Sequence, residues 1–143
     1  MARLFERFES LTLILSLSLM LAACGPTREV ESNDSYQQAT ALGAGRKAVG
    51  AVSTPKDQDW YRLDLEADGV LSAKIGGIRD VDFVLVIFDK ERRELKRVDE
   101  TTVGGDEQLL DLGVSPGVYY LVVSNKNEKS ANAAQSYELV TRF

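Results

Sequence analysis

From residue 46 onward, short apolar stretches alternate with turn-forming residues at a spacing that predicts β-strands. Alternation is clearest over residues 59–65, where Tyr61, Leu63 and Leu65 share one face and Trp60, Arg62 and Asp64 the other. Asp68-Gly69 marks a turn, and residues 70–75 make the next strand. Residues 81–88 are nearly continuously apolar, the pattern of a central strand covered on both sides. Residues 94–98 read as a half-exposed strand, and residues 107–112 as another after the break at Gly104-Gly105. Ser115-Pro116-Gly117 is a tight-turn signature ahead of a strand over residues 118–123. A polar loop over residues 125–134 leads to a closing strand with Tyr137, Leu139, Thr141 and Phe143 on one side. About eight short strands separated by turn signals predict an all-β fold, an antiparallel, jelly-roll-like β-sandwich. One short N-terminal helix is expected before it. Asn33, Asp34 and Ser35 are favoured N-caps, residues 36–42 supply about two turns, and Gly43 is a natural stop.

The first residues follow a different pattern. Arg3 and Arg7 precede an uncharged apolar run over residues 11–23, 13 residues long. A membrane-spanning helix needs roughly 20 apolar residues and a signal-peptide core about 7–15, so the run reads as a cleaved signal peptide. It ends in Leu21-Ala22-Ala23-Cys24-Gly25, which resembles the lipobox of bacterial lipoproteins. That resemblance implies cleavage before Cys24, a diacylglyceryl group on its thiol and an acyl chain such as palmitate on the new amine. Gly25 stands where an Asp would signal inner-membrane retention. The implied location is therefore exported and lipid-anchored at the cell envelope, at the outer membrane in a Gram-negative cell.

Composition narrows the function. Cleavage leaves 120 residues, enough for one domain, with 15 basic and 20 acidic side chains. This acidic balance argues against nucleic acid as a partner. No cysteine pair remains to form a disulfide, so a hydrophobic core must hold the fold. The expected organisation is a signal peptide over residues 1–23, a lipidated cysteine and acidic tether over residues 24–35, and a β-sandwich over residues 36–143.

Several motifs then fall in one order: Glu29-x-Glu31-x-Asn33-Asp34-Ser35, Ala39, Leu42, Gly50 and Asp57-x-Asp59-Trp60-Tyr61. Asp82 and Asp89 flank the apolar strand, and Pro116-Gly117-x-Tyr119-Tyr120-Leu121-x-Val123 and Tyr137-x-Leu139 close the set. With this set the chain resembles the bacterial pre-peptidase C-terminal domain, a β-sandwich module related to bacterial collagen-binding domains. Members of that family usually ride on a catalytic domain, whereas only a signal peptide and tether precede the module here. In the collagen-binding relatives a similar acidic segment binds calcium. The resemblance thus implies Glu29, Glu31, Asn33, Asp34 and Asp59 as calcium ligands, with Asp57 less secure because Lys56 competes for its place in the alignment. The chemistry suits the ion, since calcium takes 6–8 oxygen ligands. The alternative is that these groups cap the short helix and solvate the tether, which stabilises a helix start by about 0.3–1 kcal/mol each without a metal.

Catalysis is poorly supplied. The chain has no histidine, and its one cysteine is the expected lipidation site, which excludes Ser-His-Asp and Cys-His arrangements. Paired carboxylates remain as a distant route to a hydrolase. Trp60, on the polar face of its strand, is either a ligand-stacking surface or a side chain packed on the N-terminal segment. The sequence therefore points to a non-enzymatic, lipid-anchored module that contacts an envelope protein partner. Recognition of carbohydrate or an extracellular-matrix polymer is the alternative.

Overall fold

The computed structural model describes residues 25–143, so the expected signal peptide and lipidation site at Cys24 lie outside the described residues. Ten strands run in the order β1 (Thr27–Arg28), β2 (Thr40–Ala41), β3 (Lys47–Val52), β4 (Gln58–Leu65), β5 (Gly69–Ile75), β6 (Phe83–Asp89), β7 (Glu94–Val98), β8 (Glu107–Val114), β9 (Gly117–Asn125) and β10 (Asn132–Arg142). They form two five-stranded sheets, one ordered β1-β3-β10-β5-β8 and the other β2-β4-β9-β6-β7. Every long pairing is antiparallel, while the two-residue strands β1 and β2 add parallel edges beside β3 and β4. These edge strands account for the two elements beyond the expected eight.

The inward residues behave as alternation predicts. Tyr61, Leu63 and Leu65 from one sheet meet Leu71, Ile75, Tyr137 and Leu139 from the other in a continuous core. The apolar strand β6 is covered on both sides: Phe83, Leu85 and Ile87 enter the core, while Val84 and Val86 join a smaller cluster with Val122 on the outer face. Trp60 and Phe88 pack against that cluster.

The expected short helix is absent; among the described residues there is no helix at all. Ser35 to Gln38 makes one turn, closed by Gln38 N–H donating to the Ser35 carbonyl at 3.0 Å. The chain then extends, and Thr40 and Ala41 pair with Tyr61 and Arg62. Helices shorter than about 12 residues are marginal without tertiary support. Here the edge of β4 offers backbone bonds, and the extended path buries Thr40 and Leu42, so strand pairing wins. The start of the domain also differs from a free tether, because Thr27 and Arg28 already pair with Ala48 and Val49.

Two buried polar side chains organise the loops at one end. Glu107 is fully buried; its carboxylate accepts from Glu100 N–H, from Thr101 N–H at 2.7 Å and from the Thr101 hydroxyl at 2.7 Å. Asn125 accepts from Asp82 N–H at 3.0 Å and donates to the carbonyls of Asn127 and Ser130 at 2.8 Å each. Replacing Glu107 by Ala empties a buried site and takes the partner from two half-buried backbone donors, Glu100 N–H and Thr101 N–H. Each unsatisfied group costs about 1–3 kcal/mol. Urea denaturation of Glu107→Ala is expected to show a loss of about 2 kcal/mol or more with an unchanged m-value.

Candidate metal centre

The acidic residues of the N-terminal segment meet β4 beside the inter-sheet core. After β1 the chain continues along β3, with Glu29 N–H donating to the Val49 carbonyl at 3.0 Å. The Glu29 carboxylate turns inward, accepts from Ala51 N–H at 2.8 Å and lies over Gly50. A Cβ on Gly50 would stand 2.1 Å from Glu29 Oε2 and 2.3 Å from the Tyr137 hydroxyl, so only glycine admits both groups. The chain then crosses to the other sheet, where Trp60 N–H donates to the Asn33 carbonyl at 3.0 Å. This crossing brings Glu29, Glu31 and Asp59 together, with one carboxylate oxygen from each inside a 4.8 Å span.

Asn33 completes the cluster and has no solvent exposure. As placed, its Nδ2 donates to Thr40 Oγ1 at 3.4 Å and its oxygen faces the carboxylates. Turned over, the amide nitrogen would donate to Asp59 Oδ1 and Glu31 Oε2 at 3.2 Å each. The first orientation makes an all-oxygen pocket; the second makes a neutral bridge between two acids. Which one holds depends on whether positive charge occupies the centre.

Electrostatics favour such a charge. Asp59 is 1 % exposed, and burial pushes its carboxyl up to about 9. The Tyr137 hydroxyl, donating to Asp59 Oδ2 at 2.6 Å, opposes that rise, while the charges of Glu29 and Asp57 add to it. Burial also raises Glu29, against the bond from Ala51 N–H and with help from the charge on Glu31. Burial and the crowding of like charges thus push Glu29 and Asp59 in the same direction, toward the neutral acid. An acid cluster buried in this way calls for positive charge at its centre. A hard cation could supply it, since three carboxylates and an amide oxygen are the donor set that calcium accepts. The residues present fit the ion.

The remaining expected ligands sit differently. Asp57 is buried nearby, but its Oδ2 caps a turn, accepting from Ser53 N–H at 2.5 Å and the Ser53 hydroxyl at 2.8 Å. The same hydroxyl also lies 3.1 Å from Glu31 Oε1, so Asp57 borders the cluster without joining it. Asp34 is exposed, with Oδ1 3.5 Å from Gln58 N–H. Trp60 lies on the outer face and stacks on Phe88, centroids 5.4 Å apart and 14° from parallel. Tyr36 and Tyr120 lie beside it, so the N-terminal segment does pack against this ring.

Sequence reasoning about ligands passed over the support behind them. Tyr61 and Tyr137 bond through their hydroxyls at 2.7 Å across the two sheets. Because Tyr137 spends its proton on Asp59, Tyr61 donates to Tyr137, and the chain Tyr61–Tyr137–Asp59 runs from sheet to sheet and back. Alternation places both tyrosines inward, and that signal was available; their hydroxyl contact was not.

No protein-family model and no curated protein matches this chain. Solved structures do. The pre-peptidase C-terminal domain of a collagenase from Bacillus anthracis is similar over 73 % of this chain and 94 % of its own, at 15 % identity and a TM-score of 0.59. The periplasmic inhibitor of g-type lysozyme from Aeromonas hydrophila is similar over 73 % of this chain and 96 % of its own, at 17 % identity and a TM-score of 0.50. The described residues thus have the fold of a pre-peptidase C-terminal domain, as the ordered motifs suggested.

Gly50 tests whether the cluster is built as described. Gly50→Ala forces Glu29 and Tyr137 apart, and overpacking of this kind costs typically about 1–3 kcal/mol. Thermal unfolding is expected at a lower temperature than for Gly76→Ala, whose added Cβ meets nothing within 4 Å.

Proposed function

We propose that this protein is a non-enzymatic, lipid-anchored accessory module of the cell envelope, whose entry into the sandwich is stiffened by calcium and whose role is to hold a protein partner. The observation that carries the reading is how the buried acids are used. Asp57 caps the Ser53 turn, Asp89 receives Arg93 at 2.6 Å, Glu107 binds its loop, and Asp59 belongs to the Glu29/Glu31/Asn33 cluster. Each is committed to structure, and with no histidine in the chain these carboxylates were the remaining route to hydrolysis. Two proteins of this fold lend support: a module of a collagenase, and a periplasmic protein that inhibits a lysozyme and so acts on another protein. Both are compatible with an exported chain, as the N-terminal run implies.

Calcium would be held by Glu29, Glu31, Asn33 and Asp59, joining the segment behind Cys24 to β4. Its contribution is charge neutralisation at a buried site. Millimolar calcium is expected to raise the melting temperature of the protein, because an ion that binds only the folded state stabilises it. Asp59→Asn should abolish the shift and Asp34→Asn should preserve it. A shift lost in neither or in both variants contradicts this ligand set.

The anchor has its own test. Mass spectrometry of the membrane-extracted protein is expected to find a chain beginning at Cys24 and carrying diacylglyceryl and acyl groups, while Cys24→Ala accumulates as precursor. For the role itself, the extracted protein should co-purify with one envelope protein at fixed stoichiometry. Saturable binding to glycan or collagen, lost in Trp60→Ala, would replace the protein-partner reading with matrix recognition.

A further inference from the structure

The two ends of the sandwich differ in charge. Register places the start of β3, the end of β10, the start of β5 and the end of β8 at one end. The end of β4, the start of β9 and the end of β6 lie there too. Gly25 belongs to this end, its carbonyl accepting from Arg46 Nη2 at 3.1 Å. The connecting loops at this end, residues 42–46, 66–68, 90–93 and 115–116, carry four basic and three acidic side chains. The loops at the opposite end, residues 29–39, 53–57, 76–82, 99–106 and 126–131, carry ten acidic and four basic ones. A chain of net charge −5 thus keeps its excess of acid at the end away from Gly25.

A corner of the Gly25 end is basic and apolar together. Arg28, paired with Val49, and Lys47, paired with Val140, share the outer face of their sheet with Arg142. Arg46 follows in the adjoining loop. Lys47 pairs with Glu138, an exposed ion pair of the kind that contributes little and exchanges readily for another anion. Val70 is 55 % exposed on the same outer face, and Phe143, 45 % exposed, closes the end of the inner face against Gly69, with the acids Glu66 and Asp68 in the loop before it. Cations around exposed apolar groups are the composition of a surface that rests on lipid headgroups.

We propose that this corner, formed by Arg28, Arg46, Lys47 and Arg142 with Phe143 and Val70, docks on the anionic phospholipid headgroups of the membrane that holds the lipid. The inference rests on the anchor reading for Cys24, the residue next to Gly25. Two residues, Gly25 and Pro26, separate Cys24 from Thr27, the first residue of the sheet, and the three steps between them span at most about 10 Å. So short a link keeps this corner at the bilayer surface. The acidic end, with the Glu29/Glu31/Asp59 cluster on its side, then points away from the membrane, where an anionic surface would repel it. The partner-facing surface is therefore the far end of the sandwich.

The test uses the full chain, expressed, processed and extracted with its lipid. If Cys24 is lipidated, a cysteine introduced at Ala67, in the Gly25-end loop, or at Lys129, at the far end, is the sole free thiol for a fluorophore. The labelled proteins are placed on vesicles of phosphatidylcholine, with or without phosphatidylglycerol, containing a headgroup nitroxide quencher. The label at Ala67 is expected to be quenched several-fold more than that at Lys129, and more strongly with phosphatidylglycerol. Replacing Arg28, Lys47 and Arg142 by Gln should lower the ratio of docked to undocked protein about fivefold per charge removed. Equal quenching at both positions, or quenching indifferent to the anionic lipid and to the substitutions, overturns the docking with the anchor intact. A wild-type thiol that takes the dye, on protein the vesicles do not retain, overturns the anchor reading and the orientation with it.

Discussion

A pair of buried hydroxyls joins the two sheets of this molecule. Tyr61 on β4 and Tyr137 on β10 come from opposite layers, meet at 2.7 Å and are both fully buried. Burial raises both well above the usual tyrosine range, so they remain neutral, and each must find a partner inside the protein. Tyr61 finds Tyr137, and Tyr137 finds Asp59. The second bond commits a carboxylate to the interior, and the structure around it follows from accommodating that acid. Gly50 leaves room for Glu29, Asn33 is drawn in beside Asp59, and the N-terminal segment is held against both sheets.

This arrangement trades one cost for another. A hydrophobic pair in place of the tyrosines would fill the core without a polar chain behind it. The tyrosines instead hold a buried acid beside Glu29, and burial raises both carboxyls, so the place calls for a proton or a cation. Because the acids come from the segment behind β1 and from β4, whatever fills the centre ties the entry of the chain to both layers. Under the proposed anchor at Cys24, local stiffness at this point would carry the orientation of the whole domain.

The charge distribution extends the same logic. Acids gather where the loops meet the cluster, and the cations near Gly25 occupy the opposite end. A sandwich is suited to this separation, because its faces are committed to pairing and packing while its two sets of loops are chemically independent. Most surface ion pairs here are exposed, so their value lies in the field they make together.

Much of the architecture was legible in the pattern of residues. Alternation over residues 59–65 placed Tyr61, Leu63 and Leu65 in the core, and the unbroken apolar run before Asp89 identified the strand covered on both faces. Such patterns are local and survive in any fold that buries one side of a strand. The acidic segment was legible as a source of oxygen ligands too, because composition alone brings Glu29, Glu31 and Asn33 within five residues. Tertiary structure decided which of them converge. Helix-capping residues around Asn33 to Ser35 suggested a helix, yet the free edge of β4 claimed the chain at Thr40. Asp34 follows Asn33 but faces Gln58 N–H, and Asp57, two residues before Asp59, is turned to the backbone of Ser53. Alternation along an extended chain turns Asp34 away from Asn33, whereas Asp57 shares the parity of Asp59 and is diverted by the turn at Ser53. The aim of the acids into the site depends on Gly50 and Tyr137, which reach it from β3 and β10 and which no local pattern connects to Glu29.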